Sequence, residues 1–323
     1  MHIGSISLRN NFALAPMAGL TDVPFRTLAW QMGAGHMVSE MVSSKPELWD
    51  TGKSRLRRIP VASAHPIAVQ IAGSEPAVMA ESARRLAGEG VEVIDINFGC
   101  PAKKVCRKSA GSALLNDIEL IERIVGCVAD AVPIPVTIKT RVGLTPQDNA
   151  GVAAAQAAQR AGAQMVVVHG RSRACHFRGH ASYEKVREVC DSVDIPVLVN
   201  GDIESLSSAE HALEVSQAAG VMIGRGAFGR PWLFRELLGM APLTEQQKWQ
   251  IIEDHVCHTH DFYGIQLGVR MIRKHLKAYF AELRVGVMGD ECLKLTSAQE
   301  QLDCIRRIAE EAQKTNRDIR HAA

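Results

Sequence analysis

The sequence predicts an α/β protein: a (β/α)8 barrel over residues 1–242, followed by a helical bundle domain over residues 243–323. Three observations predict it. Eight short apolar runs rich in β-branched residues alternate with helix-forming stretches, the pattern of a parallel sheet assembled from βα units. Six of those runs end in polar or glycine-rich tips, which in a barrel converge on the C-terminal rim. After Pro242 the β-rich runs stop and long helical patterns take over.

Taken in order, strands are expected at 12–15, 36–39, 68–71, 93–97, 136–139, 165–169, 197–200 and 221–223. Each is a short apolar run of the length that buries in a parallel sheet. The fourth shows the logic clearly: Val93, Ile94 and Ile96 favour an extended chain, and Gly99 and Pro101 end it. Between the strands, helical periodicity or helix formers occupy 23–31, 76–87, 118–129, 151–160, 183–190, 207–215 and 229–238. The six tips are Gln70–Gly73, Asn97–Cys100, Lys139–Arg141, His169–Arg171, Asn200–Asp202 and Gly224–Gly226. A doubly wound open sheet also alternates strand and helix. It is disfavoured because no G-x-G-x-x-G turn follows the first strand, and because eight units exceed what one dinucleotide domain needs. In the C-terminal part, helices are expected at 244–262, 265–283 and 297–314, where Thr244 with Gln247 and Ser297 with Glu300 have capping-box spacing.

With 46% hydrophobic and 22% charged residues, the 323-residue chain has the composition of an ordinary globular protein. No run approaches the roughly 18 apolar residues of a membrane span, and the N-terminus carries no signal-peptide pattern. The expectation is a cytoplasmic monomer with no membrane association. The eight cysteines contain no CxxC pair, so neither a metal site nor a disulfide framework is indicated. The net charge of +2 says little about a polyanionic partner, and residues 243–323 balance 12 Lys/Arg against 12 Asp/Glu. Any nucleic-acid signal must therefore come from a local patch.

Cys100 is the leading candidate for chemistry. A free cysteine is usually a small apolar filler, but this one sits at a strand's C-terminal end between helix breakers and ahead of Lys103 and Lys104. Around it, Gly224-Arg225-Gly226 offers backbone N–H groups and a guanidinium suited to a phosphate, next to the Asn200-Gly201-Asp202 tip. Lys139 ends a buried strand and needs an anionic or electron-rich partner. Gln70 has an amide able to donate to ring carbonyls and accept from ring N–H groups. His169 joins the same rim. Pro16, Met17 and Ala18 combine a fixed φ, a pliable thioether and a small residue, a backbone against which a planar ring can lie. A flat, hydrogen-bonding ligand bearing a phosphate is called for, and flavin mononucleotide meets these demands.

These residues resemble the tRNA-dihydrouridine synthase family, nearest its bacterial B-type branch. The resemblance spans essentially the whole chain through APMAGLTDVPFR, SEMVSS, VQIAGS, DINFGCPAKKV, RKSAGSALL, VTIKTRVG, VHGRSRA, VNGDI and MIGRGAFGRPW, in that order. It implies an FMN-bearing barrel, a helical tRNA-binding domain, and reduction of the C5–C6 bond of specific uridines, with D-loop position 17 the expected target. NADPH is the expected reductant, with NADH the alternative. By the same resemblance, Pro16, Met17, Ala18, Gln70, Lys139 and His169 lie along the flavin ring. Asn200, Gly201, Asp202, Gly224 and Arg225 hold its ribityl and phosphate groups. Cys100 is the proton donor and Asn97 orients the uracil. Cys106 stands where B-type relatives commonly have asparagine, either as a packing substitution or as a thiol able to form an oxidised, inactive pair with Cys100.

For RNA contacts, Arg270, Arg273, Lys274 and Lys277 fall at helical spacing on one face. Lys53, Arg55, Arg57, Arg58, Lys103, Lys104, Arg107, Lys108, Arg171, Arg173 and Arg178 lie in loops near the expected rim. A base reaching the flavin would have to be extruded from the RNA. Two other readings stay open: a flavin enzyme acting on a free pyrimidine, as dihydroorotate-type dehydrogenases do, and a non-catalytic RNA-binding protein.

Overall fold

The computed structural model describes residues 1–107 and 109–321, with Lys53 and residues 315–321 described by backbone alone. The chain forms two compact units, Met1–Arg225 and Gly226–Ala323.

The first unit is a parallel barrel. A short antiparallel hairpin, β1 (His2–Ile3) and β2 (Ile6–Ser7), precedes β3 (Phe12–Leu14), β4 (His36–Met37), β5 (Val42–Ser43), β6 (Ala68–Ala72), β7 (Val93–Asn97), β8 (Val136–Arg141), β9 (Met165–His169), β10 (Val197–Asn200) and β11 (Gly220–Ile223). Nine parallel strands run in the order β4-β3-β11-β10-β9-β8-β7-β6-β5. The two ends of that order are consecutive in the chain, and a parallel bridge from Val38 to Ala68 joins them. β4 and β5 are thus two halves of one barrel strand, interrupted after Met37, and the sheet closes on itself with eight strand positions.

The alternation of side chains along each strand separates core from site. Inward positions near the strand starts are apolar: Ala13, Ala68, Val93, Met165, Leu198 and Met222 form one buried cluster with Ile3 and Leu8, which the hairpin brings underneath. Two residues further along the same faces stand Gln70, Asp95 and Asn200, four further stand Asn97 and His169, and β8 adds Thr137, Lys139 and Arg141. The barrel interior therefore changes from hydrocarbon to polar within about two to four residues of strand, roughly 7–14 Å. Outside, α1 (Val23–Gln31), α2 (Gly52–Arg58), α3 (Pro76–Gly88), α4 (Lys103–Cys106), α5 (Ile118–Ala131), α6 (Ala150–Arg160), α7 (Tyr183–Cys190) and α8 (Leu206–Ser216) complete the unit. The longer of them are amphipathic; α5, for example, buries Ile121, Ile124, Val125 and Val128 at helical spacing and is capped by Asp117, which accepts from the Leu120 N–H.

The second unit contains α9 (Leu233–Leu237), α10 (Glu245–Tyr263), α11 (Ile265–Glu282), α12 (Val287–Cys292) and α13 (Ala298–His321). The expected helix at 229–238 shrinks to α9, because Gly229 takes a left-handed φ of 87° and Pro231 cannot continue a helix. Residues 226–242 cluster with this unit, where Trp232 stacks on Tyr279 at 6.2 Å. Thr244 and Gln247 make both hydrogen bonds of the capping box at the start of α10. Gly264 (φ 76°) turns α10 into α11, and Gly268 lets the two helices close up, since a Cβ there would lie 2.7 Å from the His260 Cα. No helix among the described residues is long and apolar enough to cross a membrane.

Candidate functional site

At the C-terminal rim of the barrel, one hydrogen-bonded chain runs from the floor of the site to the Cys100 loop. Buried Asp95 accepts from Thr137 Oγ1 at 2.6 Å and from Gln70 Nε2 at 2.7 Å. That leaves Gln70 Oε1 to accept from Asn97 Nδ2 at 2.7 Å, and Asn97 Oδ1 to accept from the N–H groups of Gly99 and Cys100 at 3.1 and 2.9 Å. A carboxylate can only accept. Ionised Asp95 thereby fixes which way both amides point, and through them the entry of the loop that carries the thiol.

Burial pushes the Asp95 carboxyl up from 3.8 to about 6, against the pull of Thr137, Gln70 and Lys139. The folded protein thus holds this proton more tightly than the unfolded chain. Asp95 is expected to lower stability as pH rises from about 4 to about 6. Comparing urea unfolding of wild type and Asp95→Asn across that range checks this: the difference must tilt in favour of the variant as pH rises, and a flat difference refutes it.

The Cys100 loop is held from both sides. Arg141, fully buried, donates Nε to the Gly99 carbonyl at 2.7 Å and Nη1 to the carbonyls of Ser172 and His176 at 3.0 and 2.8 Å. Ser112 Oγ donates to the Cys100 carbonyl at 2.9 Å. Gly111 (φ 63°) permits this approach, as a Cβ there would lie 2.8 Å from the same oxygen. Cys100 is half-buried, and burial raises its thiol pKa above the ordinary 9.0, with Cys106 adding to the rise and the Ala102 N–H and Arg141 opposing it. At neutral pH the group is a thiol, poised to give a proton.

Polar and charged side chains from the neighbouring strands continue the rim. Lys139 Nζ donates to Asn200 Oδ1 at 2.8 Å, and Asn200 Nδ2 donates to the Met222 carbonyl at 2.8 Å. Burial, with Arg141 nearby, draws the Lys139 ammonium down to about 7 although Asp95 pulls the other way. His169 is buried, and burial together with Lys139, Arg141, Arg171 and Arg225 holds its pKa well below 6.5, so the ring is neutral. Asp202 takes a left-handed φ of 55° and accepts from Arg171 Nη2 at 2.7 Å, with Arg225 at 3.5 Å. Burial works to raise the Asp202 pKa, but these arginines and the Ala181 N–H outweigh it and hold the carboxylate below the usual range. A Cβ built on Gly224 would meet nothing nearer than the Met17 Sδ at 3.6 Å and the Ala15 Cβ at 3.8 Å, so the chain leaves room there beside Ala15 and Met17.

The structure thus gathers Gln70, Asn97, Cys100, Lys139, His169, Asn200, Gly201, Asp202, Gly224 and Arg225 at one rim. Lys103 and Lys104 are exposed on α4 beside it. Arg171 is buried and bound to Asp202 and to the carbonyls of Arg178 and Gly179, so its charge is engaged within the protein. In the second unit, Arg270 and Lys277 are exposed and Lys274 half-buried, while Arg273 donates to the Leu295 carbonyl at 2.7 Å. Lys108 and the side chain of Lys53 lie outside the described residues. Sequence reasoning did not single out Asp95, Thr137 or Arg141, yet each stands two residues from a chosen position on the same strand face. That period-two signal was available to find them.

The Cys106 thiol points at the Cys100 carbonyl at 3.5 Å and lies 3.8 Å from Ser112 Oγ. Ser112 already donates to that carbonyl, so Cys106 adds one weak contact. Cys106→Ala is expected to leave turnover within about threefold of wild type, a loss near the lower end of a weak hydrogen bond; a rate assay in reducing buffer checks it.

The chain matches the family model described as dihydrouridine synthase over residues 13–315. It is 47% identical over 291 residues to tRNA-dihydrouridine synthase B of Proteus vulgaris, covering 87% of this chain and 90% of that one. It is equally similar, at 47% over 291 residues with the same coverage, to the tRNA-dihydrouridine synthase B of Escherichia coli K12. Among solved structures, the old yellow enzyme homologue from Zymomonas mobilis shares the fold with a TM-score of 0.55 at 15% identity, covering 76% of this chain and 92% of that one. A morphinone reductase mutant in complex with tetrahydroNAD does so with a TM-score of 0.53 at 17% identity, covering 75% and 90%.

Proposed function

Since the chain belongs to the dihydrouridine synthase family, we propose that it reduces the C5–C6 double bond of specific uridines in tRNA, with Cys100 as the proton donor. The observation that carries this reading is a protonated, half-exposed thiol held by two buried networks at the rim of a barrel, with Lys139 on the neighbouring strand in register with Asn97.

The residues present fit FMN, the cofactor expected here. Lys139, neutral His169 and the Gln70 amide offer donors to a polar ring edge. Arg225, with just over half its side chain exposed, and the unobstructed backbone at Gly224 suit a phosphate. Pro16, Met17 and Ala18 line the remaining side. When bound, FMN supplies the hydride, with NADPH as the proposed source of reducing equivalents.

The rest follows from the chain itself. Once C6 of the uracil has received hydride, negative charge develops at C5, and the Cys100 S–H proton passes there. The thiolate left behind is stabilised by the Ala102 N–H and by Arg141, and it regains a proton from water because Cys100 is not fully buried. Asn97 keeps the loop at a fixed distance from the base. Exposed Lys103, Lys104, Arg270 and Lys277 are proposed to meet RNA phosphates, position 17 of the D-loop to be the target, and the protein to act as a cytoplasmic monomer. The test is dihydrouridine formation on unmodified tRNA by purified protein with FMN and NADPH. Flavin absorbance with product at position 17 supports the proposal. A flavin protein that leaves every tRNA unchanged defeats it.

A further inference from the structure

Phe177 lies in the loop between β9 and α7 and is 55% exposed, an unusual placement for a phenyl ring beside a polar site. The backbone around it is not loose. Arg141 Nη1 holds the carbonyl of His176 at 2.8 Å, one residue before it. Arg171 Nε holds the carbonyl of Arg178 at 3.2 Å, one residue after, and its Nη2 that of Gly179 at 2.6 Å. Both arginines are buried, with 2% and 4% of their surface exposed. His176 adopts a left-handed φ of 53° to present the ring. Two buried guanidiniums therefore fix the segment on either side of one exposed aromatic.

The surroundings say what the ring meets. The guanidinium carbons of Arg141 and Arg225 lie 5.4 and 5.9 Å from its centroid, the His169 ring lies 6.2 Å away, and Arg178 is an exposed neighbour. An apolar face set among cations suits a ligand that joins flat bases to phosphates. Bases of any identity stack on such a face, while the cations follow the backbone. Arg141 also holds the Gly99 carbonyl, so a single side chain sets the spacing between Phe177 and Cys100.

We infer that Phe177 is a stacking platform for an unpaired base of the RNA substrate, held in register with Cys100 by Arg141. This rests on the proposed action on tRNA and adds a specific contact to it. A base stacked on Phe177 keeps the strand in its extruded course while the target uridine occupies the barrel mouth.

The test compares Phe177→Ala, Phe177→Leu and Phe177→Trp with wild type, measuring unmodified tRNA binding by fluorescence anisotropy, KM for tRNA, and flavin content by absorbance. Alanine and leucine are expected to weaken binding and raise KM about 5- to 150-fold, and tryptophan to stay within about twofold of wild type. Wild-type affinity in the alanine variant overturns the platform. So does restoration by leucine, which fills space without stacking, or a loss of flavin from all three variants, which would place the ring against the cofactor. Wild-type protein that binds tRNA without forming dihydrouridine defeats the functional reading alone, and the platform is then decided by the affinity series. Absence of any tRNA binding overturns both.

Discussion

Cys100→Ala is expected to lower dihydrouridine formation about 100- to 10,000-fold, the range contributed by a positioned general acid, while leaving flavin reduction by NADPH at its wild-type rate. In the proposed reaction the two halves separate because the thiol acts only after hydride has reached C6. Cys100→Ser is expected to remain impaired as well, since a hydroxyl is a much weaker acid than a thiol. The direction of the pKa shift gives a further check. A donor must be protonated, and burial lifts this thiol above its ordinary 9.0. Wild-type turnover should therefore persist through that pH and fall only above it. Single-turnover assays with pre-reduced enzyme measure the step directly, and full activity in the alanine variant would remove Cys100 from the chemistry.

Arg141→Met is expected to cost about 3–5 kcal/mol of stability, measured as the change in urea unfolding free energy of the flavin-free protein. The guanidinium donates to three carbonyls, those of Gly99, Ser172 and His176, and methionine fills its volume without a donor. Burial and neighbouring Arg171 already reduce the favour for charge here, and the pKa falls to about 10, yet the group remains a cation at neutral pH. Arg141→Lys is not expected to rescue, because one ammonium cannot reproduce a planar fork that reaches two separate loops. A loss below about 1 kcal/mol, the value of a single ordinary hydrogen bond, would mean that water satisfies the three carbonyls as well.

Much of this fold was legible in the chain. The strands at 93–97, 165–169 and 197–200 and the helices at 23–31 and 183–190 have the bounds that their apolar patterns indicate, because a buried parallel strand or an amphipathic helix is specified by its own residues. The interruption between β4 and β5 was not legible. Residues 36–39 read as one strand, whereas β4 ends at Met37, β5 resumes at Val42, and only the Val38 bridge to Ala68 shows that the chain stays within the barrel wall. The N-terminal hairpin escaped notice for the same reason, since two-residue strands carry no periodicity.

The site divides in the same way. Gln70, Lys139, His169 and Asn200 announced themselves as polar residues ending apolar runs, and strand direction alone sends such residues to one rim. Asp95, Arg141 and Phe177 did not. A buried carboxylate, a buried guanidinium and an exposed phenyl each look ordinary until their partners are known. Those partners lie 25 to 42 positions away for Asp95 and 31 to 42 for Arg141. The sequence by itself determined the barrel, the helical unit and the residue types available at the rim, because those depend on local pattern and strand polarity. Only the tertiary structure decided that Asp95 orients the amides leading to Cys100, and that one arginine bonds both the Cys100 loop and the segment that carries Phe177. Hydrogen bonds between distant loops depend on the closed barrel bringing their carbonyls within reach of the same side chain.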